Sequence, residues 1–257
     1  ALEQRLKGYR KTAEVESERQ QSELMVALQS AKNPQERSQK AFELLGREMA
    51  GFRMKQLLVD AEKIREMDLP PLGASRPAEL ALMYMVTANY HLRRLDQVLG
   101  LGEQFLKAYP GSTMYQSVEM LVENVIQEKR DTEAGKAKLE KELDEIAKEK
   151  ADLEKRPPKM GWPAQRLNHL DLRSCTAAAN NNQHEQALKF CEAFIAKHPE
   201  DPPDETVELA HLYHLRVLGK LGRFDEAKKE ASALAEAHPE FAQKMGIRFQ
   251  LTAWPKD

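Results

Sequence analysis

The stretch Asn182-Gln183-His184-Glu185-Gln186-Ala187-Leu188, continuing to Phe194-Ile195-Ala196-Lys197-His198-Pro199, decides the fold because its pattern is written a second time. Leu221-Gly222-Arg223-Phe224-Asp225-Glu226-Ala227 begins the second copy, and the offset from Ala187 to Ala227 is 40 residues. Cys175, Ala178, Ala187, Phe194, Ile195 and Pro199 in the first copy stand where Leu215, Leu218, Ala227, Leu234, Ala235 and Pro239 stand in the second. In the first copy Leu167, Leu170, Ser174, Cys175 and Ala178 recur at helical spacing, and so do Ala187, Phe190, Cys191, Phe194 and Ile195. In the second, Val207, His211, Leu215 and Leu218 precede Phe224, Ala227, Ala231, Leu234 and Ala235 in the same rhythm. Each copy is thus a pair of amphipathic helices. Such a pair cannot cover its apolar faces alone and must stack on a neighbour.

Over 168–241 this pattern resembles the tetratricopeptide repeat (TPR) family. The turn and second-helix start at Asn182–Leu188 and Leu221–Ala227 are similar to that family's, and Pro199 and Pro239 fall where it closes its unit. Ala187 and Ala227 stand where paired helices come closest, so that Leu there would overpack by about 1–3 kcal/mol. The likeness departs in two respects: Glu200-Asp201-Pro202-Pro203-Asp204 lengthens the unit, and the large aromatic early in the first helix is missing from both copies. It is weaker over 77–112, where Leu95-Asp96-Gln97-Val98 and Pro110 keep register but Gly102 replaces an expected large residue. Phe105-Leu106-Lys107-Ala108-Tyr109-Pro110 and Phe194–Pro199 look like phrases of TPR proteins of the bacterial envelope, including outer-membrane assembly lipoproteins.

Outward from the repeat, the chain divides into helical blocks. Residues 1–32 read as an N-terminal helix with a weak heptad seam through Leu2, Leu6, Tyr9 and Ala13. Asn33-Pro34 is a cap with Pro at the first helical position, opening the hairpins of 33–112, the first of which turns at Gly46 or Gly51 and ends at Leu69-Pro70-Pro71. The next turns near Leu92-Arg93-Arg94, which holds neither Gly nor Pro.

Residues 113–156 read as one long helix, because the single Gly135 costs only about 1 kcal/mol; a fold back at Asp131-Thr132 and Gly135 is the alternative. Its stripe Leu139, Leu143, Ile146 and Leu153 is expected to form a coiled coil, with another copy of the chain or with the N-terminal helix. The linker 157–163 follows, with Trp162 expected to pack on the first helix of the repeat. The block 164–257 holds the tandem repeat and a capping helix over Phe241–Ala253.

The fold class is therefore all-α: TPR-like hairpins in an α-solenoid joined to a long coiled-coil-forming helix. Composition agrees, with 41% hydrophobic residues, 31% charged and 12 Gly. The formal net charge of −2 supplies no field that would recruit nucleic acid, and the mixed charges of Lys136–Arg156 read as a solvated helix face. No apolar stretch approaches the roughly 20 residues that cross a bilayer. Because the chain begins at Ala1 without Met, an upstream targeting or anchoring segment is compatible with it. Cys175 and Cys191 occupy small-residue positions and are expected as buried reduced thiols; a disulfide is the alternative, since helices turning near Asn182 bring them to similar heights.

No Gly-rich phosphate loop, nucleophile elbow or paired-carboxylate motif is present, so neither enzyme nor cofactor is expected. His211 and His214 coincide with packing positions, and no metal site is expected. The resemblance implies a scaffold that binds a peptide or partner helix along the first helix of each hairpin, at His169, Leu172, Thr176 and Asn180 and at Leu212, Arg216 and Lys220. Arg216 and Lys220, four apart, are placed to hold a carboxylate. Thr176 stands where the family's carboxylate clamp has Asn. The alternatives are a structural coiled-coil homodimer and a regulatory subunit of an enzyme complex. The location implied is periplasmic or outer-membrane-associated, with cytoplasmic as the alternative.

Overall fold

In the computed structural model the described residues are 19, 22–155, 162–198, 205–244, 246–247 and 254–255, with side chains from 162–165, 205 and 244 set aside. Among them the regular structure is helical, with a lone bridge between Leu72 and Ser75. In chain order α1 covers 22–30, α2 Pro34–Ala50, α3 Met54–Glu66, α4 Pro77–His91, α5 Leu95–Ala108 and α6 Tyr115–Glu154. Then come α7 Trp162–Asn180, α8 His184–Lys197, α9 Glu205–Lys220, α10 Phe224–Ala237 and α11 Pro239–Lys244. The chain forms two units, 1–123 with 255–257, and 124–254. The all-α expectation is met. The seam of residues 1–18, the side chain of Trp162, and 248–253 of the expected capping helix lie outside the described residues.

One turn builds four hairpins: α2/α3, α4/α5, α7/α8 and α9/α10. Each first helix ends in a residue with positive φ, namely Phe52 (56°), Arg93 (61°), Asn182 (57°) and Gly222 (73°). The amide of the next residue, Arg53, Arg94, Gln183 or Arg223, donates back to the carbonyl of Glu48, Asn89, Ala178 or Leu218 at 2.9–3.0 Å. The positive-φ residue itself donates to Met49, Tyr90, Ala179 or Gly219 at 3.1–3.2 Å. These two bonds are the Schellman arrangement, which satisfies carbonyls that the helix end leaves open. In the first hairpin the left-handed residue is Phe52; Gly51 is in the right-handed region and Gly46 lies inside α2. A bulky residue in that conformation is costly, and the Phe52 ring finds an edge contact with His91 at 4.8 Å.

Counting from these residues aligns the four hairpins. Seven residues before the turn stand Leu45, Val86, Cys175 and Leu215, all fully buried. Nine residues after it stand Ala61, Gly102, Cys191 and Ala231, all buried and all small. Twelve after it stand Ile64, Phe105, Phe194 and Leu234. Gly102 is thus no exception: an added Cβ would come 2.3 Å from Val122 Cγ2. In the third hairpin the large-and-small pair is a disulfide, Cys175–Cys191, with Cα atoms 5.1 Å apart. The expectation of reduced thiols is corrected. The bond closes a loop of sequence separation 16, worth about 3 kcal/mol in the chain-entropy account.

In the first unit Asn33 caps α2 by accepting from the Gln35 amide at 2.8 Å, and Pro34 occupies the first turn as expected. Ser38 Oγ donates to the Pro70 carbonyl at 2.7 Å, tying α2 to the chain beyond α3. The helix α3 lies against both α2 and α4.

The helix α6 runs unbroken for 40 residues, about 60 Å, so the bent alternative is not realised. In the second unit its stripe Val125, Leu139, Ile146 and Leu153 is buried, with Thr132 half-buried between. Leu139 joins Ala177, Ala178, Ala187 and Leu188, while Ile146 and Leu153 pack with Leu170. Leu143 is partly buried against both groups. The seam expected to meet another copy or the N-terminal helix is therefore covered by α7. Ion pairs flank it: Arg166 Nε donates to Glu149 at 2.7 Å, and Asp171 accepts from Lys150 and, at 2.9 Å, from Lys197. Gly135 is where α6 meets the α7–α8 turn. A Cβ there would lie 2.0 Å from the Asn181 carbonyl oxygen, beside the bond from Gln183 Nε2 to the Thr132 carbonyl at 2.7 Å.

Gly135→Ala should therefore destabilise the second unit although Ala is the better helix former; the overlap with backbone outweighs the gain of about 1 kcal/mol in propensity. A lower Tm for this variant, beside an unchanged or higher one for Gly100→Ala, where an added Cβ meets nothing, is the expected pair of melting curves.

Candidate interaction face and buried polar clusters

The first helices of the third and fourth hairpins, α7 and α9, lie side by side, with α8 against both. The 40-residue register gives Thr176 and Arg216 one position on the two helices, and Asn180 and Lys220 another. His169, Asn180, Arg216 and Lys220 are exposed and Thr176 is half-buried. Thr176 Oγ1 donates to the Arg173 carbonyl at 3.1 Å, which leaves the hydroxyl oxygen to accept. The Arg216 guanidinium lies 5.9 Å from the Tyr213 ring centroid, a cation–π distance.

Two expected binding residues belong to the interior. Leu172, 5% exposed, packs with Phe194, Val207 and Ala210, and Leu212 is 3% exposed. The expected face therefore keeps His169, Thr176, Asn180, Arg216 and Lys220 and loses both leucines. For Leu172 the physical reason is that α7 is covered from three directions, by α6, α8 and α9.

Trp254 is a residue that sequence reasoning missed. Its indole packs against the Leu215 and Val217–Leu218 clusters, and its Nε1 would lie 3.1 Å from a Cβ added at Gly219. Gly219, one residue from Lys220, thus makes room for a ring that borders the face. Phe241, Ala242 and Ile247 complete the apolar cover of α10, of which the described helix α11 is the start.

Two buried polar clusters carry the titratable chemistry. In the first unit Asp60 is 1% exposed and accepts from Gln56 Nε2 at 2.8 Å and Lys63 Nζ at 3.1 Å. Burial pushes its carboxyl up, but hydrogen bonds from Glu48, Gln56 and Lys63 outweigh that and hold it below the ordinary carboxylate range. Glu48 is 2% exposed, so the two carboxyls form a pair without a short sequence signature. Shut from solvent, the pair joins α2 to α3.

In the second unit Glu230 of α10 lies between two histidines of α9, His211 Nδ1 at 3.0 Å and His214 Nδ1 at 2.5 Å. Burial pushes the Glu230 carboxyl up, and the two imidazoles hold it below its usual value. The histidines were expected as packing residues and both are indeed half-buried, but their spacing gave no sign of Glu230. Among the described residues no group of three or more His, Cys, Asp or Glu is arranged to hold a metal ion. No described helix is long and apolar enough to cross a membrane. No protein-family model matches the sequence, and no curated protein matches it.

The interior placement of Leu212 and Ile146 predicts a stability effect. Leu212→Ala and Ile146→Ala should each cost about 2–5 kcal/mol in denaturant unfolding, with no change of molecular mass in light scattering.

Proposed function

We propose that the chain is a non-catalytic protein–protein interaction scaffold of TPR type, in which α7 and α9 receive an acidic peptide or partner helix. The observation that carries this reading is the doubled hairpin. It repeats one position on adjacent helices as Thr176 and Arg216 and another as Asn180 and Lys220; Asn180, Arg216 and Lys220 are exposed and Thr176 is half-buried. Arg216 and Lys220 supply positive charge, Asn180 supplies donors, and the Tyr213 ring braces the guanidinium. With two hairpins behind it, the face suits a short segment. Rigid helices position such a partner without ordering cost on the scaffold's side.

The disulfide supports an oxidising compartment, because cytosolic thiols are kept reduced. Together with the phrases at Phe105–Pro110 and Phe194–Pro199, it favours the periplasmic or outer-membrane-associated reading over the cytoplasmic one. The structural homodimer is the weaker alternative, since α7 already covers the seam of α6 within one chain.

The test is capture of partners from the native source by the full-length protein and by Arg216→Ala/Lys220→Ala. The double variant is expected to bind about tenfold more weakly, a loss of about 1.4 kcal/mol, with Tm nearly unchanged. Equal capture by both proteins would remove these residues from the site.

A further inference from the structure

The His211–Glu230–His214 cluster contains an atom that its present hydrogen bonds leave unused. Glu230 is held as a carboxylate and offers no proton, so both Nδ1 atoms that face it carry hydrogen. In the neutral form His214 then has its lone pair on Nε2. That atom is buried and has no hydrogen-bond partner among the described residues. Its charged neighbour across the hairpin junction is Glu192 Oε1 at 3.6 Å, on a side chain that is 54% exposed. A bare lone pair facing a carboxylate is unfavourable. A proton on Nε2 turns the same geometry into an ion pair with Glu192.

The elements concerned make this more than a local matter. Glu192 belongs to α8, His214 to α9 and Glu230 to α10. We propose that His214 is a proton-operated latch: its protonation joins Glu192 to Glu230 through one imidazolium and fastens the α7/α8 hairpin to the α9/α10 hairpin.

The surrounding charges pull in both directions, the carboxylates toward the imidazolium and Arg223 against it. Glu226 of α10 also acts on His214, while Arg223 at the α9–α10 turn acts on Glu226, Glu192 and Glu185. From α7, Asp171 is turned instead to Lys150 and Lys197. Burial pushes the His214 imidazole toward its neutral form, but Glu230 and Glu192 outweigh burial and hold its pKa above the ordinary histidine value. A raised folded-state pKa stabilises the protein fully below the unfolded value, near 6.5, and that contribution is lost as pH rises through the folded value. The latch is thus closed in mild acid and opens toward alkaline pH. Other residues at this place in the hairpin, Leu44, Met85 and Ser174, carry no titratable group, so the device belongs to the last hairpin junction.

The test is proton NMR titration of the imidazole Cε1–H signals in the full chain, with His211→Gln and His214→Gln to assign them, alongside melting from about pH 5 to about pH 8. His214 should titrate above the ordinary histidine value, and Glu192→Gln, a change at a half-exposed side chain, should lower that midpoint while the protein stays folded. The Tm should fall as pH rises, and His214→Gln should flatten that slope. A His214 midpoint at or below the ordinary value, or one that Glu192→Gln leaves in place, would overturn the proposal. So would an unchanged pH slope in a folded His214→Gln.

Discussion

The structure depends on how closely two helices can approach after a tight turn. The left-handed residue at Phe52, Arg93, Asn182 or Gly222 sends the chain back on itself within a few residues. The second helix can then lie against the first only if it presents little bulk where they meet. Cys191 and Ala231 meet that demand opposite Cys175 and Leu215, and Ala61 is small and buried at the same place, while Gly102 gives its room to Val122 of α6. Close-packed interiors penalise both a void and an extra methylene, so the large and small positions are set together. The disulfide satisfies the same constraint by covalent means.

A second close approach places the long helix. Gly135 lets the turn at Asn181–Gln183 come against the α6 backbone, and Leu139, Ile146 and Leu153 then fall in line along α7. The glycine costs helix propensity and returns backbone contact. The two carboxylates Glu149 and Asp171, each beside two cations, fix the register of that contact at their end of the helix. This part of α6 behaves as one more helix of the stack, although its sequence has the charge pattern of a solvated coiled coil.

What could be read from the sequence follows from these constraints. The doubled hairpin was legible because its apolar positions and small residues recur at one offset. The α2/α3 hairpin was read as a hairpin but not as the same turn, because Phe52 is an unusual residue for a left-handed position and Gly46 and Gly51 drew attention from it. The long helix was legible; its partner was not, since a seven-residue apolar period is the same whether the covering helix comes from this chain or another. Leu172 and Leu212 were misplaced because a helical wheel shows which face is apolar but cannot count how many neighbours will cover it. The cysteine spacing allowed either redox state. The pairs Glu48–Asp60 and His214–Glu230 were invisible because they join separate helices.

The functional reading inherits this geometry. A scaffold presents residues at fixed intervals only if every hairpin obeys the same packing rule, so the large-and-small pair is the claim on which the rest stands. Replacing both cysteines as Cys175→Leu/Cys191→Ala copies the Leu215/Ala231 pair of the next hairpin. The most direct measurement is the unfolding curve of this variant beside that of Cys191→Leu, with helix content followed by circular dichroism. The double variant should fold cooperatively with native helicity and lose about 3 kcal/mol or less, while Cys191→Leu loses more or fails to fold. Loss of the fold in the double variant, or equal tolerance of Leu at position 191, would contradict the account.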